Sequence, residues 1–424
     1  MYLARGFLFF SDKVRSYLRS IVQIAYILPS LFSILICLNL LPIFPYGHLG
    51  VIFIFFIVHL GFSVVYIAEV LQNKVGRLGV ISSIYNVKKT DFLIRIVLPL
   101  VRKDLLVLGL IIFLSCISSL AIPLVAGGGK GTNLEVYIYE KIFIEQRWTE
   151  AVLLGLFQSA ILFAISNWIL AEKKMRSASL GLANTYNLTS KTAAIFLMTY
   201  LAIYAGGYLL RVLQLMIDLP LVQIFDQDFL SALFSSIYIF LGLSAAFMFF
   251  LFCCLYFIYR FRQLSLINLF LSPSTVLIGF GMYLIFPVQF VVMDYLKVIL
   301  GLLFLFAVGL YQTYLATSVA KLQNQILLCH IYKINFSEFV TKIFWPQTRY
   351  NIYFLISLVY LISMNEFAFI KASGAQIQTV GTLTEMYLNS YRMNQAYLLS
   401  AFSLFTWIVM IFVLRRFHVY YRKS

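Results

Sequence analysis

The residues of this chain that could carry out chemistry are few and scattered. A polar pair, Asn365 and Glu366, lies within a long apolar stretch, and Ser118 and Ser119 hold a matching place in an earlier stretch. An ionised carboxylate inside a membrane span costs at least ~2.5 kcal/mol unless it faces protein or water. This polar band therefore has two interpretations. It lines a path on which Glu366 attracts a cationic solute, or it forms hydrogen bonds that fix neighbouring helices.

Other polar groups indicate no catalytic centre. Glu69 lies near Lys74 at the predicted end of a span, where a local ion pair explains it. The glycine-rich run 127–132 lacks the Gly-x-x-x-x-Gly-Lys-Ser/Thr order of a phosphate loop. No metal-ligand spacing relates the five cysteines, which are Cys37, Cys116, Cys253, Cys254 and Cys329. We therefore expect no enzyme activity, no metal site and no cofactor on this chain, so any ATP that it uses must bind another polypeptide.

Apolar residues dominate the composition. Hydrophobic residues make up 62% of the chain, aromatic residues 17% and charged residues 11%, which is typical of membrane proteins. Long apolar runs without alternation predict helices and not barrel strands. Since a span needs about 20 residues, we predict an all-α polytopic protein with about ten transmembrane helices. They cover residues 21–41, 51–71, 104–125, 151–171, 192–213, 231–258, 266–287, 296–318, 351–371 and 395–415.

The net charge of +16 follows the predicted topology. Most of the Lys and Arg residues fall in the two termini and in the connections 72–103, 172–191, 259–265 and 319–350. Basic residues concentrate on the cytoplasmic side of membrane proteins, so both termini should be cytoplasmic. Because topology explains the charge, we expect membrane lipid as a partner and no nucleic acid.

The segment 84–104 occurs a second time at 331–351, without a gap. The identical pairs are Ile84/Ile331, Tyr85/Tyr332, Phe92/Phe339, Ile96/Ile343, Pro99/Pro346 and Arg102/Arg349. Such a repeat indicates an internal duplication. We predict a first half over 1–175 with four spans, a cytoplasmic linker over 176–191, and a second half over 192–424 with six spans.

Each copy predicts a hairpin of two short helices at the cytoplasmic surface. The first helix should end at a tyrosine, a hydroxyl should cap the second, an acidic residue should follow the cap, and a proline should stop or kink the second helix. These residues are Tyr85, Thr90, Asp91 and Pro99 in the first copy, and Tyr332, Ser337, Glu338 and Pro346 in the second. Such a compact hairpin can enter a groove on a soluble protein.

This pattern resembles the coupling loop of ABC importer permeases that work with a periplasmic binding protein. That loop reads Glu-Ala-Ala, three residues, Gly, nine residues, Ile-x-Leu-Pro. The matching residues are Ile96, Leu98 and Pro99 in the first copy, and Ile343, Trp345 and Pro346, with Trp for Leu, in the second. The glycine position carries Asn86 and Lys333, and the Glu-Ala-Ala positions carry 80–82 and 327–329. Asn tolerates a left-handed conformation, whereas Lys does so poorly.

Two further segments extend the resemblance. Residues 120–142 are similar to the segment after the coupling loop in fused thiamine and ferric-iron permeases, and residues 386–402 to the segment before the last helix of thiamine permeases. The resemblance implies an ABC importer permease fold in a bacterial inner membrane. It also implies a cytoplasmic ATPase dimer that binds ATP and Mg²⁺, a periplasmic substrate-binding protein, and thiamine as the first substrate, with ferric iron as the alternative.

Other functions stay open. Such fused permeases usually have six helices in each half, so the four predicted in the first half leave a shortened, non-transporting paralogue as an alternative. A secondary transporter driven by ions would instead use intramembrane carboxylates such as Glu366 and Glu69.

Overall fold

A computed structural model describes the whole chain except residues 1, 12, 16, 20–29, 42–43, 86, 175–189, 219–225, 262–273, 288–289, 312–314, 316–321 and 424. Every regular element among the described residues is helical. The first part contains α1 (Tyr2–Phe7), α2 (Ser30–Leu40), α3 (His48–Ile84), α4 (Lys89–Asp91), α5 (Leu98–Ile117), α6 (Ala121–Ala126), α7 (Leu134–Phe143), α8 (Trp148–Lys174), α9 (Lys191–Leu201) and α10 (Gly207–Asp218).

The second part contains α11 (Gln227–Phe261), α12 (Thr275–Ile285), α13 (Val291–Leu310), α14 (Gln323–Ile331), α15 (Phe336–Glu338), α16 (Trp345–Asn365), α17 (Ala368–Ala372), α18 (Val380–Asn389) and α19 (Met393–Lys423). Among the described residues, π-helical turns also join some of the α-helices end to end. They are π1 (Phe92–Val97), π2 (Ala202–Gly206) and π3 (Phe339–Phe344).

Side-chain caps begin some of the helices. The hydroxyl of Ser274 accepts a hydrogen bond from the N–H of Leu277 (3.1 Å) at the start of α12. A capping box formed by Thr379 and Thr382 begins α18. These side chains pair with N–H groups that have no partner within the helix, so they fix where each helix begins.

Among the described residues, five helical stretches are long and apolar enough to cross a membrane. They are His48–Val75 in α3, Trp148–Ile165 in α8, Lys191–Ile217 through α9, π2 and α10, Gln227–Arg260 in α11, and Met393–Leu414 in α19. Their backbone polar groups are satisfied within the helix, as a lipid environment demands. The prediction of an all-α membrane protein with several spans is therefore confirmed.

Two predicted spans, 104–125 and 351–371, are interrupted. In the first, α5 ends at Ile117, and the amide of Asn133 donates to the carbonyls of Cys116 (3.0 Å) and Ser119 (2.6 Å), which satisfies the end of the helix. Some predictions fall partly outside the described residues. These are the predicted spans 21–41, 266–287 and 296–318 and the linker 176–191.

The second interrupted span breaks at the polar pair itself. Here α16 ends at Asn365, and Glu366 adopts an extended backbone before α17 begins. Asn365 and Glu366 thus lie at a junction between two helices and not inside a continuous span.

The described chain divides into two compact units. Unit 1 comprises Met1–Asn133 and Ala164–Gln214, and unit 2 comprises Leu134–Phe163 and Leu215–Ser424. These units cut across the sequence halves 1–175 and 192–424, because each half contributes one stretch to the other unit. A repeat in the sequence therefore need not coincide with a compact body.

Unit 1 has one apolar core. The N-terminal helix α1 packs against α9 and α3. Leu71 and Val75 of α3, Phe92 and Val97 of π1, and Leu197 of α9 all lie buried in it. The core therefore includes π1, which follows the end of α3 in the chain.

Unit 2 is a bundle in which α11 packs against α13 and α16, and α19 packs against α16 and α18. Glycines allow two close approaches. A Cβ at Gly279 of α12 would lie 2.6 Å from the backbone of Ala372, and one at Gly301 of α13 would lie 1.9 Å from the ring of Phe369. Since real Cβ atoms do not approach this closely, α17 fits there only because both positions are glycine.

Candidate functional site: two equivalent helical corners

The two copies of the repeat fold into the same helical corner. We call residues 84–99 the first corner and residues 331–346 the second corner. Two backbone hydrogen bonds close each turn, from Tyr85 to Ile81 (3.1 Å) and Val87 to Ser82 (3.0 Å) in the first, and from Tyr332 to Leu328 (2.9 Å) and Ile334 to Cys329 (2.9 Å) in the second. Donors and acceptors occupy matching positions, so the duplication is visible in the backbone as well as in the sequence.

A π-helical turn of six residues follows in each corner. Each ends with an N–H that donates to the carbonyl five residues back, from Leu98 to Leu93 in the first and from Trp345 to Val340 in the second. A proline follows directly, and its ring would clash with a carbonyl in an uninterrupted α-helix. The wider π turn is therefore a way for the helix to accommodate the proline.

Of the two outcomes predicted for this proline, a stop or a kink, the stop is wrong. The chain stays helical from Lys89 through π1 into α5, and from Phe336 through π3 into α16. Pro99 and Pro346 instead lie in the first turn of these α-helices, directly after the π turns. Each copy is therefore a corner that leads into a long helix.

The predicted hydroxyl caps are also wrong. The helical turns begin at Lys89 and Phe336, so Thr90 and Ser337 fall inside them and are exposed. In the second corner the N-cap is Asn335, whose side chain makes no capping bond. Each helical turn begins two residues earlier than expected, which removes the hydroxyl from the capping position.

The acidic residues of the corners pair along the helix. Asp91 lies 3.6 Å from Arg95, and Glu338 lies 3.0 Å from Lys342, each pair spaced by one helical turn. The hydrogen bond from Lys342 lowers the pKa of Glu338 below its ordinary value. Both pairs are solvent-exposed, so they contribute little to folding and leave charge on the outer face.

Burial separates an inner and an outer face in the same way in both corners. Phe92 and Phe339 are buried. At the tip, Ile84 and Tyr85 are 72% and 76% exposed, and Ile331 and Tyr332 are 63% and 74% exposed. Large apolar side chains this exposed at two matching tips are suited to contact a partner.

The remaining motif residues flank the tips. Ile96, Leu98, Pro99 and Pro346 are exposed, while Ile343 and Trp345 are half-buried. Asn86, at the motif's glycine position in the first corner, lies outside the described residues. Its equivalent Lys333 is exposed and has a φ of 52°, a left-handed conformation that is strained for Lys. The second turn therefore keeps the backbone that a glycine would favour, although its residue is Lys.

Aromatic side chains anchor the second corner within unit 2. The hydroxyl of Tyr259 in α11 donates to the carbonyl of Ile334. The centroid of its ring lies 4.6 Å from that of His330, 5.5 Å from that of Phe336 and 5.4 Å from that of Phe339. His330 is thus held by packing, and the exposed tip projects from a fixed base.

The serines of the predicted polar band lie in unit 1. The hydroxyl of Ser118 donates to the carbonyl of Leu114 (2.7 Å), and the carbonyl of Ser119 accepts from Asn133. Both contacts complete the end of α5. They are the contacts of a helix terminus.

Asn365 and Glu366 lie in unit 2, so the structure divides the predicted band between the two units. Asn365 is buried, donates to the carbonyl of Leu361 (3.0 Å) and accepts from the hydroxyl of Ser403 in α19 (3.0 Å). Glu366 accepts from the N–H of Phe369 (2.8 Å) at the start of α17. The bond from Ser403 is the interhelical hydrogen bond that one of the two interpretations expects.

Glu69 does not pair with Lys74 as the sequence suggested. It lies 3.0 Å from Arg19, while Lys74 lies 2.6 Å from the largely buried carboxylate of Asp104. Sequence proximity identified the wrong partner because α5 returns antiparallel beside α3 and brings Asp104 to Lys74.

Among the buried carboxylates of the described residues, Glu135 and Glu385 lie in two similar sequence strings, and the sequence analysis did not predict their burial. Glu135 of α7 is 0% exposed and accepts hydrogen bonds from the side chains of Gln158 and Ser274 and from the N–H of Val276 (2.9 Å). It thereby completes the N-terminus of α12, whose positive end favours a carboxylate. Burial raises the pKa of Glu135, and these hydrogen bonds oppose that shift.

Glu385 is a second buried carboxylate, in the middle of α18. It is 4% exposed, pairs with Lys371 at 2.5 Å and accepts a hydrogen bond from Asn389. A second repeated string, Gly-Thr-x-x-Glu at residues 131–135 and 381–385, could have identified both carboxylates. Its spacing differs from that of the corners, so an alignment without gaps does not find it.

Comparisons of the chain with protein-family models, with curated proteins and with solved structures give no match.

Proposed function

We propose that this chain is the membrane-spanning subunit of an ATP-binding-cassette importer, and that its two corners are the surfaces that bind a cytoplasmic ATPase dimer. The observation that carries the proposal is the pair of equivalent corners with exposed Ile-Tyr tips. Their sequence resembles the coupling loop of binding-protein-dependent permeases, and both present the same side chains on fixed bases.

The physical argument rests on the shape and chemistry of the tips. Each presents a branched aliphatic and an aromatic side chain, flanked by exposed ion pairs. Aromatic residues in a rigid setting contribute large contact area at low entropy cost, and they are enriched among the energetically dominant residues of protein interfaces. Two such tips on one chain match an ATPase that presents one groove per subunit.

The proposed mechanism uses the connection between each corner and a long helix. ATP and Mg²⁺ bind the ATPase dimer, whose closure displaces both corners. Because the first corner continues into α5 and the second into α16, a displaced tip moves that helix with it. The chain itself catalyses no reaction. A periplasmic binding protein delivers the solute, for which thiamine is the first candidate and ferric iron the second.

The test is to purify the tagged chain from its native membranes in mild detergent and to identify its stoichiometric partners by mass spectrometry. We expect an ATPase subunit with nucleotide-binding motifs. Its absence in several detergents would contradict the proposal and favour a non-transporting paralogue or an ion-coupled transporter. If the ATPase is present, uptake of labelled thiamine and of ferric iron in a strain lacking this chain distinguishes the substrates.

A further inference from the structure

Unit 1 contains a recess that the proposed transport function does not use. Arg102 and Lys103 in the second turn of α5, Leu106 one turn further on, and Trp168 near the end of α8 line a recess of about 510 Å³. Residues three and four apart share one face of a helix, so both cations and Leu106 lie on the same side of α5. We call these four residues the interfacial recess.

The two cations of the interfacial recess are available to a ligand. Both side chains are exposed, and neither forms an ion pair with an acidic residue in the described part of the chain. Leu106 and Trp168 are also exposed and supply an apolar wall beside them. A ligand that fits must therefore carry both a negatively charged group and an apolar group.

The position of the recess along the two helices indicates where that ligand comes from. Arg102 and Lys103 follow the first corner and precede the apolar stretch of α5. Trp168 lies one turn before Glu172, where the charged residues at the end of α8 begin. Tryptophan and basic side chains concentrate at the boundary between headgroups and hydrocarbon, so the recess opens at that level of the bilayer.

We propose that the interfacial recess binds an anionic phospholipid. Its phosphodiester accepts hydrogen bonds from the guanidinium of Arg102 and the ammonium of Lys103, and an acyl chain lies along Leu106 and Trp168. The second copy of the repeat has Arg349 but carries Tyr350 where the first has Lys103. The pair of cations therefore belongs to the first copy alone.

The experiment uses Trp168 as a reporter. The full-length chain is reconstituted in phosphatidylcholine vesicles with increasing phosphatidylglycerol whose acyl chains carry bromine near the headgroup, a quencher of tryptophan fluorescence. The quenching of Trp168 itself is obtained by subtracting the quenching measured in the Trp168→Phe variant from that of wild type. We expect saturable quenching by brominated phosphatidylglycerol. Brominated phosphatidylcholine should quench Trp168 much less at equal mole fraction.

Variants test the role of charge. Replacing Arg102 and Lys103 together by Gln should raise the half-saturating mole fraction by roughly tenfold or more. Exchanging them as Arg102→Lys with Lys103→Arg should leave it nearly unchanged. Lys191→Gln is the matched control, since it removes an exposed cation of unit 1 outside the recess. Thermal unfolding followed by fluorescence checks that each variant folds. If the double variant does not fold, Lys103→Gln alone provides the same test.

Two results would overturn the proposal. Equal quenching by the two lipids, or unchanged quenching in the double Gln variant, would show that no charge-selective lipid site exists. Loss of the Trp168 quenching on addition of inorganic phosphate, with vesicles intact, would identify a site for a free phosphate anion and not for a lipid.

Discussion

Tyr85 and Tyr332 occupy the same position in two separate helical corners and are exposed almost equally, at 76% and 74%. Each follows the last residue of a helix, and each donates its N–H to the carbonyl four residues back. Packing within the chain does not explain two matching tyrosines that are this exposed, and the proposed function assigns them to a shared partner surface.

Replacing both tyrosines by alanine should weaken association with the ATPase and leave the fold intact. Truncating a central aromatic contact typically costs about 2 kcal/mol or more, so we expect roughly a 30-fold or larger loss of affinity. Exposed side chains change folding stability little, by about 0.5 kcal/mol or less. Tyr391→Ala removes a tyrosine that is equally exposed but lies outside both corners, and its affinity should match wild type. Unchanged co-purification of the double variant would argue against docking at the tips.

Glu135→Ala should destabilise the fold far more than Glu135→Gln. Alanine leaves the donors of Val276, Ser274 and Gln158 buried without their acceptor, at about 1–3 kcal/mol for each group left unpaired. Glutamine keeps an acceptor oxygen, and its amide can donate to Oε1 of Gln158, which has no hydrogen-bond partner among the described residues. Thermal unfolding in detergent measures both variants. Equal loss in the two would contradict this account of the contact.

The same carboxyl group predicts a pH dependence. Burial raises the pKa of Glu135, so the folded chain holds the proton more tightly than the unfolded chain. Its contribution to stability is complete below the unfolded pKa and is lost as the pH rises through the folded pKa. The unfolding midpoint of wild type should therefore fall with rising pH relative to that of Glu135→Gln, which cannot titrate. Parallel profiles for the two proteins would refute the prediction.

Two glycines of α12 should respond in opposite ways to alanine. A Cβ at Gly279 would meet the backbone of Ala372 at 2.6 Å, and backbone cannot move aside as a flexible side chain can. We expect Gly279→Ala to cost about 1–3 kcal/mol. Nothing lies within 4 Å of a Cβ at Gly281, so Gly281→Ala should be neutral or stabilise the helix by up to about 1 kcal/mol. Chemical denaturation of both variants measures the change in the free energy of unfolding. Similar changes for the two would contradict the close packing of α12 on α17.

Local sequence patterns predicted the all-helical class and the positions of the two corners, but not the number of spans found among the described residues. Apolar runs identified the membrane helices, and the repeat identified both corners, because matching residues such as Phe92 and Phe339 have matching burial. The details at Pro99 and Pro346 were not predicted. A π turn requires no distinctive residue type, so the sequence could not show that each corner continues into a long helix.

Contacts between distant segments were predicted less well. Glu69 lies close to Lys74 in the sequence, yet its partner is Arg19, because tertiary packing decides which charges meet. Glu366 was expected inside a span, but its extended backbone marks a break that the apolar residues around it conceal. The burial of Glu135 depends on Ser274 and Val276, far along the chain, and periodicity within one helix carries no information on such a contact.

Site-specific cross-linking from the corner tips tests the central claim most directly. A photoreactive phenylalanine analogue replaces Tyr85, Tyr332 or, as control, Tyr391 in the chain expressed in its native membranes, and adducts are identified by mass spectrometry after illumination. We predict that positions 85 and 332 form adducts with the same soluble protein, that this protein carries a nucleotide-binding motif, and that position 391 does not react with it. If positions 85 and 332 give no adduct beyond that of position 391, or react with a protein that has no nucleotide site, the importer function is contradicted.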